Sequence, residues 1–304
     1  MRKVFIDTLI TLAEQDKDIY LLTADLGFGL VEQFAAQFPK QYINVGVAEQ
    51  NMIGVATGLA LEGKKVFCYS IANFPTMRCL EQIRNDVCYH NLPVCIVSGG
   101  AGLWYGALGM THHAVEDIAV MRVLPNMAVV SPCDGIEMVQ VVKSVYQLGT
   151  PSYLRVTRDT GIAFSETPFE FGKARQITDG ADVAILATGG LVSSAIQASV
   201  KLANHHKIYA KVLNIHTIKP LDWETILDAV DGVKVVITIE EHSRIGGLGS
   251  AVAEVLAGLR QHPPLIRMGV ADCYPTTAMS YEELLVANHL TVEDIVKEAQ
   301  DAVS

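Results

Sequence analysis

A chain of 304 residues, half of them apolar and 18% charged, is long enough for two domains of ordinary size. Its low charged fraction fits a large α/β core or surface hidden in an oligomer, and a net charge of −10 argues against broad affinity for nucleic acid or acidic lipid. The opening MRKVFIDTLITLAEQDKD sets charges among its apolar positions, so no signal peptide is expected, and no apolar run is long enough to span a bilayer. The six cysteines lack metal-site spacing and several sit in apolar runs, so reduced, buried thiols and a cytoplasmic location are expected.

In chain order, the spacing of Phe5, Leu9, Leu12 and Ala13 predicts a first helix. A strand is expected over 18–25, a short strand over 42–46, and a small-residue helix from there to about Gly58. Strands over 64–70 and 93–100 flank a helix over 79–89. The glycine-rich SGGAGLWYGALGMTHH follows, then a helix around VEDIAVMRV, a strand at MAVVSP, a helix over 134–148 and the strand SYLRVT. This alternation, with near-continuous apolar strands, predicts parallel sheets covered by helices. Residues 161–179 break the rhythm and read as a linker. A second α/β block follows, with strands at DVAILATGG, IYAKVLNI and VKVVITIEE and helices over 193–204, 222–229 and GSAVAEVLAGL, and two amphipathic helices end the chain. The expected architecture is therefore two open parallel or mixed sheets with helices on both faces: residues 1–165, a linker at 166–180, and residues 181–304.

Ligands in such sheets gather beyond the carboxyl ends of the strands, which singles out the loops DLGFG, SIANF and 99–113. None has GxGxxG or P-loop spacing, so nucleotide binding has little support. Adjacent histidines in THH diverge too far to share an ion without acids such as Glu116 and Asp117, and no metal site is expected. A histidine in a glycine-rich loop suits proton donation or a substrate oxygen, although helix capping at the surface explains it too. Arg155 and Arg158 lie three apart on a strand and so face opposite sides. Arg158, nearer the strand end, is the better anion ligand, with a salt bridge to Asp159 as the alternative. Glu49 has no close charged neighbour in sequence. It either profits from the unpaired N–H groups of a helix start or shares a proton with a ring nitrogen.

Beyond these single residues, TADLGFG, NVGVAEQNMIGVATGLALEG, YSIANF…EQIRND, GALGMTHHAVEDIAVMRVLPNM and PCD resemble, in order, the pyrimidine-binding domain of transketolases. DVAILATGG, HTIKPLD and EEHSRIGGLGSAV resemble the smaller carboxyl-terminal domain of the same enzymes. The likeness covers nearly the whole chain and is strongest to the second subunit of split transketolases. It implies thiamine diphosphate with Mg²⁺ and transfer of a two-carbon ketol unit between sugars. It further implies that Glu49 hydrogen-bonds N1′ of the aminopyrimidine and promotes the imino form that removes the C2 proton. Phe74 would stack on that ring, with Tyr69 positioning the same loop and Asp25 beside the cofactor. His112 would contact sugar oxygens, and Arg158 and Arg2 would reach the substrate's terminal phosphate.

Two departures stand out. Leu108 replaces an aspartate four residues before the loop histidine, and Gly29 replaces a phosphate-contacting serine. Both point away from the usual pentose phosphates toward a branched, deoxy or otherwise modified sugar. The GDG motif that holds diphosphate and metal is missing, since CDG at 133–135 precedes an apolar helix. A separate amino-terminal subunit is therefore expected, in an α₂β₂ complex. The enzymatic rivals are the β subunit of a 2-oxoacid dehydrogenase and a deoxyxylulose-phosphate-synthase-like enzyme. The non-enzymatic rival is a regulatory or structural partner subunit.

Overall fold

The computed structural model describes residues 1–71, 73–158, 169–274 and 277–304. Residues 1–158 supply strands β1 (Ile19–Thr23), β2 (Tyr42–Asn44), β3 (Lys65–Ile71), β4 (Val94–Gly99), β5 (Ala128–Val130) and β6 (Ser152–Val156). They also supply helices α1 (Arg2–Ala13), α2 (Glu32–Gln37), α3 (Glu49–Leu61), α4 (Leu80–Gln82), α5 (Asp117–Arg122) and α6 (Gly135–Leu148). After α4 the chain widens into a π-helical stretch, Ile83–Cys88. The later residues form β7 (Arg175–Thr178), β8 (Val183–Ala187), β9 (Ala210–Asn214), β10 (Thr217–Lys219), β11 (Val235–Ser243) and β12 (Leu265–Val270), with helices α7 (Val192–Lys201), α8 (Trp223–Val230), α9 (Leu248–Leu256), α10 (Tyr281–Ala287) and α11 (Val292–Val303).

The first sheet runs β10-β5-β6-β4-β3-β1-β2, parallel apart from β10. Its centre is buried on both faces, and side chains divide between those faces with the period-two alternation of a strand. Val66, Cys68, Val94 and Ile96 pack with Met52, Ile53 and Ala56 of α3 and with Ile118 and Met121 of α5. Phe67, Tyr69, Cys95 and Val97 pack with Phe5 and Leu9 of α1 and with Met138 and Val141 of α6. The second sheet, β12-β11-β8-β9-β7, repeats the plan: Val235 and Ile237 face α7 and α11, whereas Val236 faces α8 and α9.

Two differences from the sequence reading concern the join between these blocks. Residues 175–178, expected within the linker, form β7 antiparallel to β9, because Gln176 and Thr178 can alternate with the buried Arg175 at a sheet edge. The HTIKP motif, expected within the second block, returns to the first sheet as β10, antiparallel to β5. There Lys219 donates from Nζ to the carbonyls of Arg122 (3.0 Å) and Leu124 at the end of α5, groups that a helix leaves without internal partners. A further strand, β12, has no counterpart in the sequence reading; its first half is only partly buried and carries Arg267, which hides the strand pattern.

The blocks are also locked by Arg155, which is fully buried. It donates from Nε to Asp117 Oδ2 at 2.7 Å and from Nη2 to the carbonyls of Ala114 (2.9 Å) and, in the second block, Glu241 (2.8 Å). Tyr153 donates its hydroxyl to the same Asp117 oxygen at 2.5 Å. Asp117, considered above as a metal helper, is thus the counter-ion of this arginine. Arg155→Met strands the Asp117 charge and is expected to destabilise the protein by about 3–5 kcal/mol. In urea unfolding, Arg155→Met/Asp117→Asn should lose less than the sum of the single losses.

Candidate active site

The loops after β1, β2, β3 and β4 share one edge of the first sheet, the carboxyl end of its parallel strands. Asp25 follows β1 with φ +54°, a left-handed conformation that a short polar side chain tolerates. Asn44 at the end of β2 holds it there: Asp25 N–H donates to Asn44 Oδ1 (2.9 Å) and Asn44 Nδ2 donates back to Asp25 Oδ1 (3.1 Å). Asp25 is exposed on this edge.

Glu49 opens α3 and is 2% exposed. It is not isolated: Arg78 donates from Nη1 to Glu49 Oε2 at 2.8 Å. The same guanidinium lies 4.8 Å over the ring of Phe74, so a flat cationic N–H donor is held between a buried carboxylate and an aromatic face. Beside it, burial pushes the Cys79 thiol up to about 12, with Glu49 adding to the shift, so that thiol stays protonated at neutral pH.

The loop after β4 brings His112 edge-on to Phe74, with centroids 5.3 Å apart, and 6.1 Å from Tyr105. Thr111 Oγ1 lies 3.0 Å from His112 Nδ1. Tyr105 stacks with Trp104, and Arg2 covers Trp104 at 5.0 Å. Glu49, Arg78, Phe74, His112, Tyr105, Trp104 and Arg2 therefore form one continuous path with an acid at one end and a cation at the other. His113 is buried instead and donates from Nε2 to Gly106 O at 3.0 Å, pinning the loop from within.

Second-block residues hold this loop in place. Leu103 N–H donates to Glu241 Oε2 at 3.2 Å, and Tyr281 of α10 donates its hydroxyl to Oε1 at 2.7 Å. Gly102, at φ +68°, passes so close that a Cβ would sit 2.5 Å from that carboxylate. Burial raises the Glu241 pKa, opposed by the Tyr281 hydrogen bond. The neighbouring His242 accepts from Ala119 N–H at Nε2 (3.2 Å) and donates from Nδ1 to Ser243 O (2.8 Å), while Glu240 accepts from the N–H groups of Leu248 and Gly249 at the start of α9. The EEHSRIGGLG motif is thus a clasp between the blocks.

Arg158 lies just past β6 and donates from Nη1 to Glu282 Oε1 at 2.6 Å, with its guanidinium 4.8 Å over the Tyr281 ring. Asp159, its expected alternative partner, lies outside the described residues. Tyr69 is fully buried rather than open to the edge, parallel to Phe5 at 6.0 Å, and a Cβ on Gly99 would lie 2.5 Å from its oxygen. It supports the loops from below. Burial pushes its phenol up to about 12, with Arg2 opposing the shift.

Sequence reasoning missed Arg78, Tyr105, Tyr281, Glu241 and Glu282. Arg78 carried a signal, four residues beyond Phe74 in one turn; the others come from the loop interior or from the distant second block.

Residues 1–161 match the family model for the transketolase pyrimidine-binding domain, and residues 172–295 match that for the transketolase carboxyl-terminal domain. The chain belongs to the transketolase family. It is 42% identical over 276 residues to a subunit of the apulose-4-phosphate transketolase of Phocaeicola vulgatus, covering 89% of this chain and 87% of that one. It is 38% identical over 304 residues to the 6-deoxy-6-sulfo-D-fructose transketolase subunit SqwH of a Clostridium species, covering 99% and 94%. A solved structure of a split gene transketolase, described as an inactive beta4 tetramer, superposes with a TM-score of 0.88 at 37% identity, covering 99% of this chain and 97% of that one. This transketolase chain thus closely resembles the second subunit of a split enzyme.

Tyr281→Phe removes the hydroxyl that Glu241 accepts from and should cost about 1–3 kcal/mol. Faster hydrogen exchange at Leu103 and its neighbours, with β1 and β3 unchanged, is the expected readout.

Proposed function

We propose that this chain is the pyrimidine-binding subunit of a heteromeric thiamine-diphosphate-dependent transketolase that transfers a two-carbon ketol unit between sugars. The observation that carries this reading is the slot between Glu49 and Phe74. It already accepts a planar, cationic N–H donor, the Arg78 guanidinium, and that chemistry matches an aminopyrimidine protonated on its ring nitrogen. When bound, the cofactor supplies the carbon nucleophile and electron sink for breaking the bond next to the ketose carbonyl.

The chain's own residues then have separate tasks. Glu49, buried at the head of α3, holds or accepts the proton at N1′, and its burial keeps water from competing for that hydrogen bond. Phe74 offers the stacking face. His112, at the edge of Phe74, is placed to hydrogen-bond sugar oxygens, since an imidazole can donate from one ring nitrogen and accept at the other. Arg158 and Arg2 supply cations for the far end of the substrate, and Asp25 stands on the same edge as a polar neighbour for the cofactor.

The diphosphate and Mg²⁺ are assigned to an amino-terminal partner subunit in an α₂β₂ complex. Asp134 of CDG is buried and caps α6, accepting from Glu137 N–H at 2.7 Å, so it is committed to the fold. Gly54 and Gly58 lie exposed on α3 with open space around them, which suits close helix packing. Phe28, Val47, Met77 and Leu108 expose apolar side chains from the four loops of the site edge, as a surface awaiting a partner does. The described inactivity of the related beta4 tetramer agrees with a need for the other subunit. The substrates in the relatives' names, apulose 4-phosphate and a sulfo-sugar, agree with a modified sugar in a site that carries Leu108 and Gly29.

Glu49→Gln should slow exchange of the cofactor's C2 proton with deuterium at least about a hundredfold in the assembled complex while leaving assembly intact; exchange at the parental rate would refute the proton role. The isolated chain, given saturating thiamine diphosphate and Mg²⁺, should show no ketol transfer at its measured solution mass. An active homodimer would sink the split-site reading.

A further inference from the structure

The cation at the substrate end of the site does not stand free. Arg158 shares its guanidinium with Glu282 at 2.6 Å, and both side chains are partly open to solvent, 42% and 67% exposed. Glu282 belongs to the first turn of α10, and that turn is fixed on three sides. Ser280 and Glu283 form a reciprocal capping box, which commits the Glu283 carboxylate to the helix end. Tyr281 is tied through its hydroxyl to the buried Glu241 and lies beneath the Arg158 guanidinium. Gly106 of the loop bearing His112 packs against the backbone of Met279 and Tyr281, where a Cβ would come within 3.0 Å of either. The carboxylate of Glu282 is therefore presented to Arg158 by a turn that the capping box, Glu241 and Gly106 all anchor.

We infer that Glu282 is a specificity-determining residue that sets the charge of the sugar terminus this site accepts, an inference that rests on Arg158 being the ligand of that terminus. A guanidinium has five N–H groups, and Glu282 takes one of them, from Nη1, leaving others for a substrate oxygen. A group bound there lies on the order of 5 Å from the Glu282 carboxylate. In water-like dielectric, each unit of like charge at that distance weakens binding roughly fourfold, less as salt rises. A phosphate monoester carries about −1.5 to −2 at neutral pH, a sulfonate carries one charge and a hydroxyl none. Glu282 thus penalises phosphate most, sulfonate less and a neutral terminus not at all. The pair works as a charge filter: Arg158 attracts anions, and Glu282 narrows the preference toward the less charged ones. Glu241 also interacts with the Arg158 charge, but its oxygens are taken by Tyr281 and Leu103, and it is common to every variant compared, so it cancels from their ratios.

The test uses the complex with its amino-terminal subunit and three donors of one carbon skeleton, ending in phosphate, sulfonate or hydroxyl. Glu282→Gln should raise the ratio of kcat/KM for phosphate over hydroxyl donors roughly tenfold and that for sulfonate over hydroxyl about fourfold. Both gains should shrink as ionic strength increases. Glu282→Asp, which keeps the charge, should hold the parental ratios. Arg158→Met should lower both ratios. Ratios within about twofold of the parent in Glu282→Gln, or equal gains on all three donors, overturn the inference while Arg158→Met still supports the site. Arg158→Met without a charge-dependent effect overturns both.

Discussion

One buried cation organises this molecule. Arg155 sits where the first sheet, the loop carrying His112 and the second block meet, and three acceptors converge on it: Asp117, Ala114 O and Glu241 O. A guanidinium in an apolar interior is tolerated only when its N–H groups are engaged and its charge is matched. That requirement fixes the start of α5, the end of the His112 loop and β11 of the second block relative to one another. The loop is thus tied at its far end by Arg155 on Ala114, at its near end by Glu241 and the Gly102–Ala114 pairing, and in between by His113 on Gly106. His112 occupies the span between these ties, which is why a glycine-rich loop can present a histidine at a defined place against Phe74.

The rigid parts end at the site edge. Phe28, Val47, Met77 and Leu108 each come from a different loop, yet parallel topology delivers them all to the same side of the sheet, and all four remain exposed. These apolar groups gather beside a buried acid and a line of aromatic rings. In the proposed assembly this subunit would supply the ring slot and the anion end, and covering the edge would remove apolar surface from water at the same time.

Much of this is legible in the sequence because it rests on local pattern. Continuous apolar runs mark β3, β4, β6, β8 and β11, and the glycine-rich stretch marks the loop. Glu49, Phe74 and His112 are legible as members of ordered motifs, and the fold brings them into one path. What is not legible depends on distance. β10 crosses back from the second block, and its three residues carry no periodicity to reveal an antiparallel partner. Tyr281 and Glu282 reach Arg158 from the far end of the chain, 124 positions away in the case of Glu282, and nothing in YEELL separates them from an ordinary solvated helix start. Tyr69 is placed by strand alternation rather than by distance. Near the end of β3, alternation turns it inward to meet Phe5, beneath the loop that it is expected to position.

The carboxylate at residue 49 illustrates how sequence neighbourhood misleads about charge. Nothing ionic lies near it along the chain, yet the turn after β3 carries Arg78 back to it. Burying an acid away from water is costly unless a donor or a counter-charge meets it. The pairing keeps a hydrogen-bonding oxygen aimed from the head of α3, and Phe74 presents its face to the same partner. A slot of this kind selects by shape and by hydrogen-bond polarity together: the occupant must be flat, must stack, and must bring an N–H to the acid. At the other end of the site, Arg158 is attenuated by Glu282, so the two ends are opposite in sign but neither is a bare charge. In the proposed reading, recognition follows from paired charges, since Glu49 and Arg158 are each held by a neighbour that a ligand would have to displace or share.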